Sequence, residues 1–253
     1  MAKFQHLLTR TAVLGTAAVV LAGCSSSGGG GTTTTTLSLP SALANKSAAA
    51  IAAISKAAAL SKGTVVATFS STQGGQLGTQ VTSSTRTGGT QQFNLGTTKG
   101  QLVLVKGIVY FNDDAALLKD QFGVSNSKWA NQWIAIPPTN GNYSRFAAGV
   151  ILSQSVASLF PGSSLSVVGV QQYMGQRAVV LRGKPAAAEG ISGTVTTYIS
   201  TAAPFLPLGA SVSGTQSGTT ITGTASTAQW GQPVTLTAPS TFTLISATDL
   251  PTA

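Results

Sequence analysis

The residue types that carry most protein chemistry are scarce in this chain, and their positions narrow the options further. The 253 residues include one histidine, His6, one cysteine, Cys24, and five acids: Asp113, Asp114, Asp120, Glu189 and Asp249. A lone Cys closes no disulfide and supplies no Cys-rich metal site. With His6 in the N-terminal leader, the rest of the chain has no imidazole. Ser-His-Asp and Cys-His nucleophile arrangements, His general bases and His-based zinc sites are therefore excluded. Asp113, Asp114 and Asp120 cluster, and paired carboxylates can serve glycoside hydrolysis or hold a divalent cation. Asp113-Asp114, however, stands directly before Ala115-Ala116-Leu117-Leu118-Lys119. Carboxylates there accept helix-start N–H bonds and meet the positive end of the helix dipole, so capping is the expected role. Ser125-Asn126-Ser127-Lys128 fits S-x-x-K, but no S-D-N or K-T-G accompanies it. G-x-S-x-G, P-loop and G-x-G-x-x-G patterns are absent, so no nucleotide cofactor is indicated. The expectation is a protein that is not an enzyme, with no catalytic residue, no metal and no cofactor.

The cysteine has a different use. Lys3 and Arg10 give a charged start, an apolar stretch runs from Thr11 to Leu21, and Leu21-Ala22-Gly23-Cys24 follows. This is the pattern of a secretory signal, too short for the roughly 20 residues a permanent transmembrane helix needs. Leu-Ala-Gly-Cys resembles the bacterial lipobox. That resemblance implies cleavage after residue 23, a diacylglyceryl thioether on Cys24 and a place on the extracytoplasmic face of the cell membrane. From Ser25 through Thr36 the sequence is Ser, Gly and Thr only. It reads as a tether that holds a folded domain on the order of 20 Å from the bilayer. The expected organisation is a cleaved signal over 1–23, a lipidated Cys and tether over 24–39, and one folded domain over 40–253.

Charge argues against a nucleic-acid partner and is compatible with a membrane surface, with plain solvated surface the reading for most of the basic residues. The formal charge is +9, yet only 8% of residues are charged. The basic residues are scattered, with Arg177, Arg182 and Lys184 the only modest cluster. No nucleic-acid stripe is present. Diffuse basicity suits an anionic leaflet, where each nearby Lys or Arg contributes about 1 kcal/mol. The 42% hydrophobic content is enough for a sizeable core, and the Thr, Ser, Gln and 29 Gly lean toward strands and turns.

The elements that must position any site are read from periodicity. Leu43, Ile51, Ile54 and Ala58 predict one amphipathic helix from Ser41 to Leu60, stopped at Gly63. Strands are predicted around Val65–Phe69, 76–86, 91–97, 101–105 and 108–111, with Gly88-Gly89 and Lys106-Gly107 as hairpin turns. Asp113 to Phe122 predicts a short helix, 134–136 a strand, and Tyr143 to Phe160 a helix ended by Pro161-Gly162. Strands resume at 165–170, 177–181, 193–200, 208–213, 219–228 and 233–237. A long antiparallel sheet with one apolar face needs a cover, and the helices are the available one.

That order of motifs, with Ile108-Val109-Tyr110-Phe111, Trp133-Ile134-Ala135-Ile136, Val168-Gly169-Val170-Gln171-Gln172-Tyr173-Met174-Gly175 and Gln229-Trp230-Gly231-Gln232-Pro233-Val234, resembles actinobacterial lipoproteins of the LppX/LprG group. Their fold is similar to that of the LolA and LolB lipoprotein carriers. The resemblance implies an α+β fold: a strongly curved antiparallel half-barrel of about ten or eleven strands with helices on its concave face. It also implies an apolar cavity that takes acyl chains of lipids or glycolipids for movement across the envelope, with an envelope exporter or acceptor as a further partner and a monomeric state. Candidate cavity residues are Val65, Ala67, Phe69, Leu102, Leu104, Phe146, Val150, Ile151, Val179 and Leu181; taken singly, ordinary core is the competing and weightier reading of each. The competing reading is an envelope lipoprotein that acts as a structural or protein-interaction module without lipid cargo.

Overall fold

The computed structural model describes residues 38–122 and 127–245. Cys24, the signal and tether up to residue 37, Ser125 and Asp249 lie outside the described residues.

Period-two alternation builds one twelve-stranded sheet that is not closed. The strands are β1 (Thr64–Gln73), β2 (Gln76–Thr85), β3 (Gly89–Leu95), β4 (Thr98–Val105), β5 (Ile108–Asp113) and β6 (Ile134–Ile136), then β7 (Ser163–Tyr173), β8 (Gln176–Lys184), β9 (Ser192–Ser200), β10 (Pro207–Gln216), β11 (Thr219–Ala228) and β12 (Thr243–Leu244). Two antiparallel meanders, β1–β6 and β7–β11, are joined where β11 pairs with β1. The order across the sheet is therefore β12-β6-β5-β4-β3-β2-β1-β11-β10-β9-β8-β7. Lys106 and Gly107 both take positive φ (51° and 74°), the geometry a tight β4–β5 hairpin demands.

Among the described residues the α-helices that accompany the sheet are α1 (Ala48–Ser61), α2 (Ala115–Phe122), α3 (Tyr143–Ala148) and α4 (Leu152–Ala157). Three expectations need correction. The first helix starts at Ala48 rather than Ser41, because the Ser47 hydroxyl accepts from Ala50 N at 3.2 Å and caps it there. Residues 41–45 form turns that bury Leu43 completely. The helix predicted over Tyr143 to Phe160 is two helices, broken where Gly149 ends α3 and Ile151 turns extended (φ −86°, ψ 135°) to bridge Thr85 in parallel. The segment 233–237 is not a strand. After β11 the chain anchors to the start of β1, with Gly231 N on Thr64 O (3.1 Å) and Thr64 Oγ1 on Gln232 O (2.7 Å). It continues past Gly88 to add β12 alongside β6, in parallel, and Phe242 packs edge-on against Tyr110.

Facing residues line up across the strands into rows. One row runs Ala67, Thr82, Gln91, Leu102, Phe111, Ile134. Another runs Phe69, Ala225, Ala210, Thr197, Leu181, Val167. The core on this face has two parts. In one, α1 and α4 bury Ile51, Ala52, Leu152 and Val156 against β1 and β8–β11. In the other, β4–β6 and α3 bury Leu102, Leu104, Phe111, Ile134 and Phe146, with Phe111 and Phe146 stacked at 5.3 Å. Two buried polar contacts pin α4 across the sheet: Ser84 and Ser155 hydroxyls meet at 2.7 Å, and Thr197 Oγ1 donates to Leu159 O at 2.6 Å. Such buried groups rarely go unpaired, so they fix the position of α4 as well as stabilising it.

Candidate ligand groove

Strands β9, β10 and β11 are built largely from Thr, Ser, Gly and Ala. Small side chains on the inward rows leave space that α1 and α4 do not reach. The result is a groove of about 150 Å³, partly open to solvent, on the same face as the cores. Its walls are Phe69 from β1, Val195 from β9, Ala210 and Val212 from β10, and Ile221 and Ala225 from β11. Ser158, just beyond α4, together with Glu189 and Ile191, forms the rim. Gly223 faces Val212 across β10 and β11, which deepens the groove at that level.

The rim is held from behind. Ala187–Glu189 is a single 3-10 turn closed by Gly190 in the left-handed region (φ 65°). Gln216 Nε2 donates to Glu189 O at 2.8 Å, and Gln73 Nε2 donates to Gln216 Oε1 at 3.4 Å. Burial pushes the Glu189 carboxyl above its ordinary value. The folded protein therefore binds that proton more tightly than the unfolded chain. Below the usual glutamate pKa both states are protonated and no penalty exists. As pH rises through that value and then through the raised one, the charged form costs stability. Glu189→Gln, which resembles the protonated acid, is expected to raise Tm at about pH 7 and to leave it unchanged near pH 3. Thermal melts at the two pH values check this.

The sequence candidates are distributed unevenly around this groove. Phe69 lines it. Val65, Val179 and Leu181 are buried in the core beside it, and Ala67 is buried two residues before Phe69 on β1. Leu102, Leu104, Phe146 and Val150 are buried in the other core, with Ile151 packed against them. The groove residues that the sequence reading missed are Val195, Ala210, Val212, Ile221, Ala225 and Glu189. Their signal was present as inward alternation along β9–β11, masked by the Ser/Thr/Gly composition of those strands.

Asp114 takes the capping role expected at the helix start. Asp114 Oδ1 accepts from Leu117 N at 2.9 Å and Oδ2 from Lys99 N at 2.9 Å, so this side chain caps α2 and ties it to β4. Asp113 is buried beneath Gly100, where a larger residue would collide with Phe93 and the Asp113 carboxylate. Among the described residues no group of three or more His, Cys, Asp or Glu is placed to hold a metal ion. A wider dish of about 460 Å³ lies at the C-terminal end of α1, between Leu60, Arg86 and Leu152. It is broadly open to solvent and has less of an apolar wall than the groove.

Neither a protein-family model nor a curated protein matches the chain. Among solved structures it is similar to LprF from Mycobacterium bovis, at 15% identity over 76% of this chain and 96% of that one, with a TM-score of 0.46. It is also similar to the lipoprotein LppX from Mycobacterium tuberculosis, at 12% identity over 75% of this chain and 99% of that one, with a TM-score of 0.46. A third similarity is to the MucA/MucB complex from Pseudomonas aeruginosa, at 14% identity over 74% of this chain and 58% of the matched chain, with a TM-score of 0.40.

Proposed function

We propose that the chain is a lipid-anchored envelope lipoprotein that binds the acyl chain of a lipid or glycolipid in the groove between β1 and β9–β11 and carries it across the envelope. The observation that carries this reading is the groove itself, an apolar recess walled by Phe69, Val195, Ala210, Ile221 and their neighbours. Burial of an acyl chain needs no reactive group: each buried methylene contributes about 0.8 kcal/mol. A recess of about 150 Å³ matches a benzene-sized occupant and falls below the roughly 300–1,000 Å³ of ordinary ligand sites. The groove as it stands takes the end of one chain, and uptake deep enough to bring the head group to the rim requires α1 and α4 to move off the sheet. With Cys24 lipidated, the tether would hold the folded domain on the order of 20 Å from the bilayer that supplies the ligand.

The alternative, an interaction module without lipid cargo, is favoured by β7. This eleven-residue strand forms the sheet edge, next to exposed Met174 and with Val168 exposed on it. Such edges accept an added strand from a partner. The test is mass spectrometry of an organic extract from the full chain carrying Cys24→Ser, so that no covalent lipid is attached. Acyl lipid recovered in near-stoichiometric amount supports the carrier reading. An empty extract from protein that folds normally favours the interaction module.

A further inference from the structure

Of the groove's lining residues, Glu189 is the ionisable one; the rest are apolar residues, Gly, Ser and Thr. This is notable in a chain of net charge +9, where no Lys or Arg lines the groove. The turn that holds Glu189 is fixed through backbone contacts, Gln216 Nε2 on Glu189 O (2.8 Å) and Gly190 N on Ala187 O (3.2 Å). Gln216, which makes the first of these, is itself 4% exposed. Glu189 thus stands half-buried among the residues that line an apolar recess, with no hydrogen bond or ion pair to its side chain among the described residues.

We infer that Glu189 selects the head group of the bound amphiphile, accepting hydrogen bonds from a neutral head that carries O–H or N–H donors and repelling an anionic one. This rests on the groove being the acyl site. An ionised carboxylate only accepts, so donors on the ligand satisfy it, whereas a second carboxylate or a phosphate brings like charge into a poorly solvated site. Free fatty acids and anionic phospholipids are disfavoured on that ground, despite the basic character of the chain as a whole.

The experiment compares two amphiphiles with the same tail, lauryl glucoside and laurate, by calorimetric titration below their micelle concentrations at neutral pH. The protein is the full chain carrying Cys24→Ser, stripped of bound lipid. The glucoside is expected to bind about tenfold more tightly than laurate, the size of one charge-assisted hydrogen bond gained against a repulsion. Glu189→Gln is expected to remove most of that ratio by strengthening laurate. Glu189→Ala serves as a second variant with the same expectation, should the first fold poorly. Equal affinities in the unsubstituted protein, or a ratio that both variants leave intact, overturn the inference while the groove stands. Failure of both amphiphiles to bind overturns the groove reading itself, which is a separate result.

Discussion

Phe111→Ala is expected to cost about 3–5 kcal/mol of folding stability, the range for truncating a fully buried aromatic. Phe111 is 1% exposed, stacks on Phe146 and shares a core with Leu102, Leu104 and Ile134. A loss of that size is a large part of the 5–15 kcal/mol that holds a typical domain together. Denaturant unfolding, with midpoint and slope both measured, checks it. The outcome also separates the two halves of the inward face. If β4–β6 and α3 enclose a filled core, truncation leaves a cavity and the full cost follows. A cost below about 1 kcal/mol would mean that this half yields easily and is itself part of a ligand chamber.

Ala210→Phe is expected to abolish binding of a lauryl-chain ligand while leaving Tm unchanged or raised. Ala210 faces the groove from β10, opposite Ala225 on β11. A recess of about 150 Å³ accepts a benzene-sized group, so the added phenyl ring occupies the space the ligand needs. Filling a void without strain stabilises, which distinguishes blockage from unfolding. Titration of lauryl glucoside into the variant, with a thermal melt on the same sample, gives both readouts. Undiminished binding by a folded variant would place the ligand elsewhere.

Much of the fold was legible because alternation and turn chemistry are local. Lys106-Gly107 announced its hairpin, Asp114 its cap, and nearly every strand its approximate span. The helical errors have local causes too. Apolar spacing continues through Leu43 and hides the cap at Ser47, and it continues through Val150 and Ile151, where the backbone instead turns extended to meet Thr85. The segment 233–237 alternates like a strand, with Val234 and Leu236 half-buried, but no neighbouring strand pairs with it.

The candidate site was less legible, for a reason rooted in packing. Choosing the bulkiest inward residues selects those that fill space, and Leu102, Leu104, Phe146, Val179 and Leu181 do fill it. A recess forms where facing side chains are small, as at Ala210, Gly223 and Ala225, and small residues carry little hydrophobic signal. Glu189 is one of five acids in the sequence, but only the folded chain brings its turn to that recess.

The most direct test is photo-crosslinking of the full chain carrying Cys24→Ser with a lauryl probe bearing a diazirine at the tail end, followed by peptide mapping. The groove account predicts labels on the peptides holding Phe69, Val195, Ala210 and Ile221, competed away by unlabelled lauryl glucoside. Labels confined to β4–β6 or to the outer face, or labels that excess competitor leaves in place, would contradict it.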